Sequence, residues 1–292
     1  MFDWDDLRIF IAAARAGSLA GAGRRIGVDT ATVGRRVARL ESVLKSILLV
    51  RSGTGLQLTA AGAQLLEIAL DAESAMEAAM RVTHPDLVAG TVRISAAEGF
   101  GTQILAPALP ALSRQRPGLK IELAAQPRFL SPSRREVDLS ITLSAMDGAR
   151  LIVEPLAAYQ LALYAAPDYL ARRPAPSLVD DLRDHAIVGY VDDLLFAPEL
   201  RYLDEVLPGL TPDLASSSIQ AQRAIVAGGG GIGVLPCFLG TGLTRVLPAG
   251  VLLHRRFWLN THEEVYATAR MKAVRTWLTE LVEARQSTLA PY

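Results

Sequence analysis

The chain has 292 residues, 50 % of them hydrophobic and 21 % charged, with 30 basic side chains balancing 30 acidic ones. That length suggests two domains, and the composition describes an ordinary globular protein able to bury a large core. A single cysteine, Cys237, excludes an internal disulfide; the four histidines have no ligand spacing, so no metal site is expected, and no run of about 18 uncharged apolar residues could span a bilayer.

The N-terminus is acidic, with Asp3, Asp5 and Asp6, and lacks the basic-then-apolar layout of a signal peptide, so a cytoplasmic chain is expected. A first helix starts near Asp3 or Asp5, buries Leu7, Phe10, Ile11 and Ala14, and ends at Gly17. Ser18 is a good N-cap for a second helix, which Gly27 terminates, and Asp29 can cap a third. In that third helix Val33, Val37, Leu40 and Leu44 form one buried stripe, with Arg35 and Arg39 on the other side. Helix, tight turn and helix together predict a helix-turn-helix. Between Arg24 and Arg51, Arg24, Arg25, Arg35, Arg36, Arg39, Lys45 and Arg51 stand against Asp29 and Glu41 alone, a net +5 inside a neutral chain. Such a local excess is the electrostatic footprint of a nucleic-acid surface.

Ile47 to Arg51 reads as a strand, Ser52 to Gly55 as a glycine-rich turn and Leu56 to Leu58 as the returning strand, a wing beside the helices. Thr59 then caps a long helix reaching about Val82. Leu65, Ala69, Ala72, Met76 and Ala79 recur along it at heptad spacing, which fits either a pairing with a second copy or packing on its own chain. The proline and glycine of His84 to Gly90 mark a hinge.

Beyond the hinge, strands at Thr91 to Ser95, Lys120 to Ala125 and Val137 to Thr142 alternate with a proline-containing helix from Phe100 to about Gln115. A second set follows: a strand at Gln160 to Ala165, a helix at Pro167 to Arg172, a strand at Ala186 to Tyr190, a helix at Ile219 to Ala227 and a strand at Gly231 to Leu235. This alternation predicts parallel β-α units in two α/β lobes with a cleft between them. An amphipathic helix from Ala273 to about Ala284 closes the chain. Gly228, Gly230 and Gly233 match the dinucleotide spacing, but a helix precedes them and a strand follows, the reverse of what phosphate binding needs. They read as a helix cap and a close turn. No catalytic set stands out.

The first 60 or so residues resemble the winged helix-turn-helix of the LysR-type transcriptional regulators. The resemblance is carried by Leu7, Phe10, Ala14, Gly17-Ser18-Leu19, Ala22, Ile26-Gly27-Val28, Thr32-Val33, Arg35-Arg36, Leu40-Glu41, Leu44, Leu48, Arg51, Gly55-Leu56, Leu58-Thr59 and Gly62. Weaker motifs continue it, chiefly Arg134 to Leu139, Leu163 to Ala166 and Ala227 to Pro236. The resemblance implies a winged helix-turn-helix domain over 1-60, a linker and dimerisation helix with a hinge over 61-89, and an effector-binding domain over 90-292. The last resembles periplasmic binding proteins, with lobe I about 90-161 plus 265-292 and lobe II about 162-264. The expected function is a DNA-binding regulator without a cofactor, a homodimer or homotetramer that binds a double-stranded operator and a small-molecule effector. A two-lobed solute-binding protein or an enzyme on the same fold is the alternative.

Ser18, Thr30, Thr32, Gly34, Arg35, Arg36, Arg51 and Thr54 are then expected at DNA, with Thr30 and Thr32 in the turn that meets base edges. Thr30 and Gly34 depart from the family's usual Gln and Ser, and Lys45 stands where a helix-ending Gly is usual. Glu98, Gly99, Phe100, Thr142, Ser144 and Ser218 are expected to frame the effector cleft. Ala97 and Glu98 replace the hydroxyls common in the family, which points to an effector that is not a simple carboxylate; Glu98 equally fits a role as the acidic residue in its own helix's first turn.

Overall fold

The N-terminal helices begin and end where side chains satisfy the backbone. In the computed structural model, which describes residues 3–53, 55–83, 88–126, 130–133 and 136–292, helix α1 spans Trp4–Ala16 and is capped by Asp3, which accepts from the amide of Asp5. Helix α2, Leu19–Ile26, starts at Ser18, whose hydroxyl accepts from the amide of Gly21, and stops at Gly27 with φ 75°. Helix α3, Thr30–Leu44, starts at Asp29, whose carboxylate accepts from the amide and the hydroxyl of Thr32 at 2.8 and 2.6 Å. It ends at Lys45 in a left-handed conformation, φ 51°, with the amide of Ser46 reaching back to the Glu41 carbonyl. This is a Schellman termination carried by a lysine where glycine is the residue that bears it without strain.

Strands β1, Leu49–Ser52, and β2, Gly55–Leu58, form an antiparallel hairpin in which Arg51 faces Leu56. The Glu41 carboxylate accepts from the amides of Leu48 and Leu49, fixing this hairpin to α3. Helix α4, Ala60–Thr83, is capped by Thr59, whose hydroxyl accepts from the amide of Gly62. Gly62 is required: a Cβ there would lie 2.0 Å from the Leu48 carbonyl oxygen. Leu65, Leu66, Ala69 and Leu70 pack against Leu7, Phe10, Ile11, Leu40 and Leu48. The first half of the expected heptad seam, Leu65 and Ala69, therefore packs on its own chain, whereas Met76 is 50 % exposed and the side chain of Ala79 lies outside the described residues.

The chain divides into two compact units, Met1–Asp86 and Leu87–Tyr292. Among its described residues the second unit has a nine-stranded sheet built from β3, Gly90–Ala97; β4, Leu119–Gln126; β5, Leu139–Thr142; β6, Leu151–Ala165; β7, Ile187–Gly189; β8, Leu214–Ala215; β9, Ile232–Pro236; β10, Thr244–Val246; and β11, Leu253–His262. The order is β4-β3-β5-β11-β6-β9-β7-β8, with β10 also on β6. Strands β3, β4 and β5 are parallel, as are β7, β8 and β9. These are the expected parallel units; at the centre β6 and β11 run antiparallel to each other and to their outer neighbours β9 and β5. These two strands carry the chain from one lobe to the other and back. The register between them shifts at Phe257/Trp258, and from Trp258 onward β11 pairs with β5. The register shift at 257–258 is thus where β11 passes from pairing with β6 alone to pairing with β5 as well.

The second unit's helices include α5, Ala106–Gln115; α6, Pro167–Arg172; α7, Tyr202–Val206; α8, Ile219–Ala227; and α9, Ala269–Ala284. Between β3 and α5 the backbone makes one α turn, Glu98–Phe100, then a π-helical segment, Gly101–Leu105. The expected helix starting at Phe100 is continuous through its prolines and gains this π segment, a feature frequent at functional sites. The glycine run closes α8 at Gly228 and turns into β9, as its order predicts. Cys237 is free and buried, and burial pushes its thiol up.

Candidate functional site

In the first unit, Val33, Val37 and Leu40 are buried and hold α3 against α1 and α2, while Thr30 and Arg35 are exposed. Arg35 donates to the Thr32 hydroxyl at 2.9 Å, so one side of the first turn carries linked hydroxyl, guanidinium and carboxylate groups. The Thr32 hydroxyl holds the Asp29 carboxyl below its ordinary range. Gly34 needs no room inside the protein: a Cβ there would meet only Leu19 Cδ1 at 3.6 Å, an ordinary contact. Arg51 is exposed on the hairpin; Thr54 lies outside the described residues. Ser18 is committed to its cap.

Arg36 sits differently from its neighbours. Asp6, 1 % exposed, accepts from Arg39 Nε at 2.5 Å, Arg39 NH2 at 2.7 Å and Arg36 NH1 at 3.1 Å, and Asp3 adds contacts to both arginines. Burial of Asp6 opposes its ionisation, but the hydrogen bonds of Arg39 and Arg36 outweigh it and hold the carboxyl below its ordinary range. Two of the seven cations counted in the sequence are therefore neutralised inside the domain. Arg24, Arg35, Lys45 and Arg51 remain exposed, on or beside a helix and hairpin that can meet a polyanion.

In the second unit, a cleft lies between the lobes and opens to solvent. Glu98, Gly99 and Phe100 line it, as the strand-to-helix junction predicts. Glu98 does not cap its own helical turn and does not stand free. Its carboxylate reaches across the cleft to the N-terminus of α8, accepting from Ser218 Oγ at 2.8 Å and from the amide of Ile219 at 3.0 Å. Gln220 donates to Thr102 beside this bridge, and a Cβ on Gly99 would press on Ile219 and Leu239, at 3.2 and 3.3 Å. Ser218 thus caps α8 and binds Glu98 at once, while Ser217 lines the cleft.

Thr142 and Ser144 are outside the described lining. The Thr142 hydroxyl donates to the Ser144 carbonyl at 2.6 Å and accepts from the buried Asn260 at 2.8 Å, a network internal to the first lobe. In the cleft, Phe100 is joined by six aromatic residues not read from the sequence. Phe100, Tyr159, Phe238 and Phe257 form a cluster in which Tyr159 stacks on Phe257 with centroids 4.1 Å apart. Tyr190, Phe196 and Tyr202 extend it, and burial raises the phenols of Tyr159, Tyr190 and Tyr202, which stay neutral. Half of the chain's Phe and Tyr residues face this one space, yet they are scattered over 158 positions without period, so only their scarcity elsewhere could have signalled them.

Residues 4–63 match the family model for the bacterial regulatory helix-turn-helix protein, lysR family, and residues 85–283 match that for the LysR substrate binding domain. The chain is 32 % identical to the HTH-type transcriptional regulator DmlR of Escherichia coli over 182 residues, spanning 61 % of this chain and 59 % of that one. It is 26 % identical to the HTH-type transcriptional regulator CrgA of Neisseria meningitidis, over 80 % of each chain. With the Mau operon transcriptional activator of Paracoccus denitrificans it shares 25 % identity over 96 % of each. A full-length OxyR structure from Pseudomonas aeruginosa has the same fold, with a TM-score of 0.71 at 19 % identity, covering 97 % of this chain and 95 % of that one.

Proposed function

The chain belongs to the LysR family of bacterial transcriptional regulators, and we propose that it is a cytoplasmic, non-enzymatic member that binds its operator as a homodimer or homotetramer and answers to a small molecule held between its lobes. It is a transcriptional regulator with a helix-turn-helix DNA-binding domain and an effector-binding domain. At DNA, Thr30 and Thr32 meet base edges, Gly34 lets a backbone or base come close, and Arg35 and Arg51 hold phosphate. Ser18 orients α2, Arg36 acts from within its pairing to Asp6, and Thr54 sits at the wing's tip in sequence. The helix-turn-helix match speaks against a solute-binding protein. The described cleft lining has no nucleophile paired with a histidine, which speaks for binding over catalysis.

The effector of this reading is not a simple carboxylate, and the observation that carries it is the Glu98 bridge. A helix N-terminus facing a cleft is the ready place for an anionic group, and here the protein's own carboxylate fills it. An anionic effector would have to displace Glu98 or bind beside it. Thermal melting of the full chain against a mixed metabolite panel tests this: a ligand confined to the folded state stabilises by about 2.7 kcal/mol at a hundredfold excess over Kd. Non-carboxylate members should give the upward shifts. Shifts from carboxylates alone, unchanged in Glu98→Ala, would contradict the proposal.

A further inference from the structure

The cleft's own chemistry narrows the effector further. Two carboxylates, Glu98 and Glu199, line it, and no Lys, Arg or His is in its described lining. Glu98 is satisfied by Ser218 and Ile219. Glu199, on the short helical turn Pro198–Leu200, is not: its Oε2 is buried without a hydrogen-bond partner. The hydroxyl of Tyr202, a residue 2 % exposed on the adjoining α7, is buried beside the Tyr190 phenol, with which it interacts. Arg255, whose charge is felt at Tyr159 and Tyr202, is paired with Glu205 and lies outside the lining. A buried carboxylate oxygen left unmatched in a native fold calls for an occupant that supplies the missing donor, and the Tyr202 phenol beside it can accept a further one.

The walls fix the rest of that occupant. Phe100, Tyr159, Phe238 and Phe257 present a stacked and tilted aromatic cluster on one side, and Tyr190 and Tyr202, with centroids 5.8 Å apart, stand on another. Aromatic faces attract cations and carry apolar groups, and a neighbouring carboxylate adds directly to that attraction. We infer that the effector is a primary ammonium ion with a small apolar or aromatic body, its N–H groups on Glu199 Oε2 and the Tyr202 hydroxyl and its body against the Tyr159–Phe257 stack. This rests on the cleft being the effector site. On this arrangement the Glu98 bridge is kept when the ligand binds, so the occupied cleft stays closed.

Calorimetry on the full chain tests the assignment with three probes of nearly equal shape: 2-phenylethylammonium, 2-phenylethanol and 3-phenylpropanoate, with n-butylammonium as a smaller cation. The two ammonium ions should bind and the alcohol and acid should not. Glu199→Gln should weaken 2-phenylethylammonium by about tenfold or more. Because the wild-type panel decides by itself, a poorly folded variant leaves the test intact. Equal or tighter binding of the alcohol or the acid overturns the cation assignment and leaves the cleft reading in place. Silence from both ammonium ions overturns it as well, and a flat response to the wider metabolite panel would then remove the cleft reading too. Undiminished ammonium binding by folded Glu199→Gln contradicts the role given to Glu199.

Discussion

Asp6 decides how much of the positive charge on α3 is available outside the protein. It is buried, and it binds Arg36 and Arg39 together. Asp6→Asn should destabilise the N-terminal unit by about 1–3 kcal/mol, the range for hydrogen bonds to charged groups. The sign with pH follows from the lowered carboxyl value: the contribution is complete above the unfolded value, near 4, and is lost as pH falls through the lower folded value. Wild type and variant should therefore converge in stability in acid. The same change removes one of the two carboxylates that hold these guanidinium groups, Asp3 remaining in contact with both, so non-specific DNA binding should tighten and the salt slope of log K steepen by up to about one. An unchanged slope, measured by anisotropy, would place neither arginine within reach of phosphate. Gly34 makes the complementary case. Since a Cβ there would make only an ordinary contact with Leu19, Gly34→Ala should stabilise α3 by up to about 1 kcal/mol yet weaken operator binding. Unaltered binding would mean the glycine serves no DNA contact. Local devices such as the caps at Ser18, Asp29 and Thr59 are legible in sequence because partner and donor lie within three residues. The Asp6 pairing, 30 and 33 residues away from its arginines, is not.

Among the elements, the helices of the first unit and the strand-to-helix junction at Glu98 follow from periodicity and capping, as does β6 from Gln160 onward, whereas the first half of β6 and all of β11 do not. The N-terminal half of β6 contains Pro155, which argues against a strand in sequence. In the structure Pro155 faces Trp258 and Ala157 faces Phe257, so the proline sits at the register shift, where a bulged strand tolerates a missing donor. Helix α4 shows the other limit of pattern reading. Its heptad spacing is real, but Leu65 and Ala69 pack on α1, and among the described side chains of α4 the large apolar groups left exposed are Ile68, 65 % exposed, and Met76, 50 % exposed. With Ala75 they fall at i, i+7 and i+8, one face of the helix. That face is the one we propose for pairing with a second copy. Replacing both Ile68 and Met76 by Glu should lower the mass found by light scattering toward that of one chain, with the helical signal kept. A wild-type mass would put the pairing elsewhere.

The whole molecule joins a unit that can grip a polyanion to one whose cleft carries unmatched negative charge, within a chain that is neutral overall. Fold class and function were legible because the N-terminal motif is dense in specific residues. The cleft lining was legible only at Glu98, Gly99 and Phe100, with Ser218 behind it as the partner of Glu98, since aromatic walls assembled from five stretches of chain leave no spacing to read. No described helix is long and apolar enough to cross a membrane. Sequence-specific DNA binding through α3 and the wing is the property on which everything else depends, and selection of sites by the full chain from a random DNA pool measures it directly. The selected pool should converge on a partly symmetric site bound on the order of 10³-fold more tightly than a scrambled version at the same salt. A pool that never converges, or a selected site bound no better than its scramble, would contradict the account.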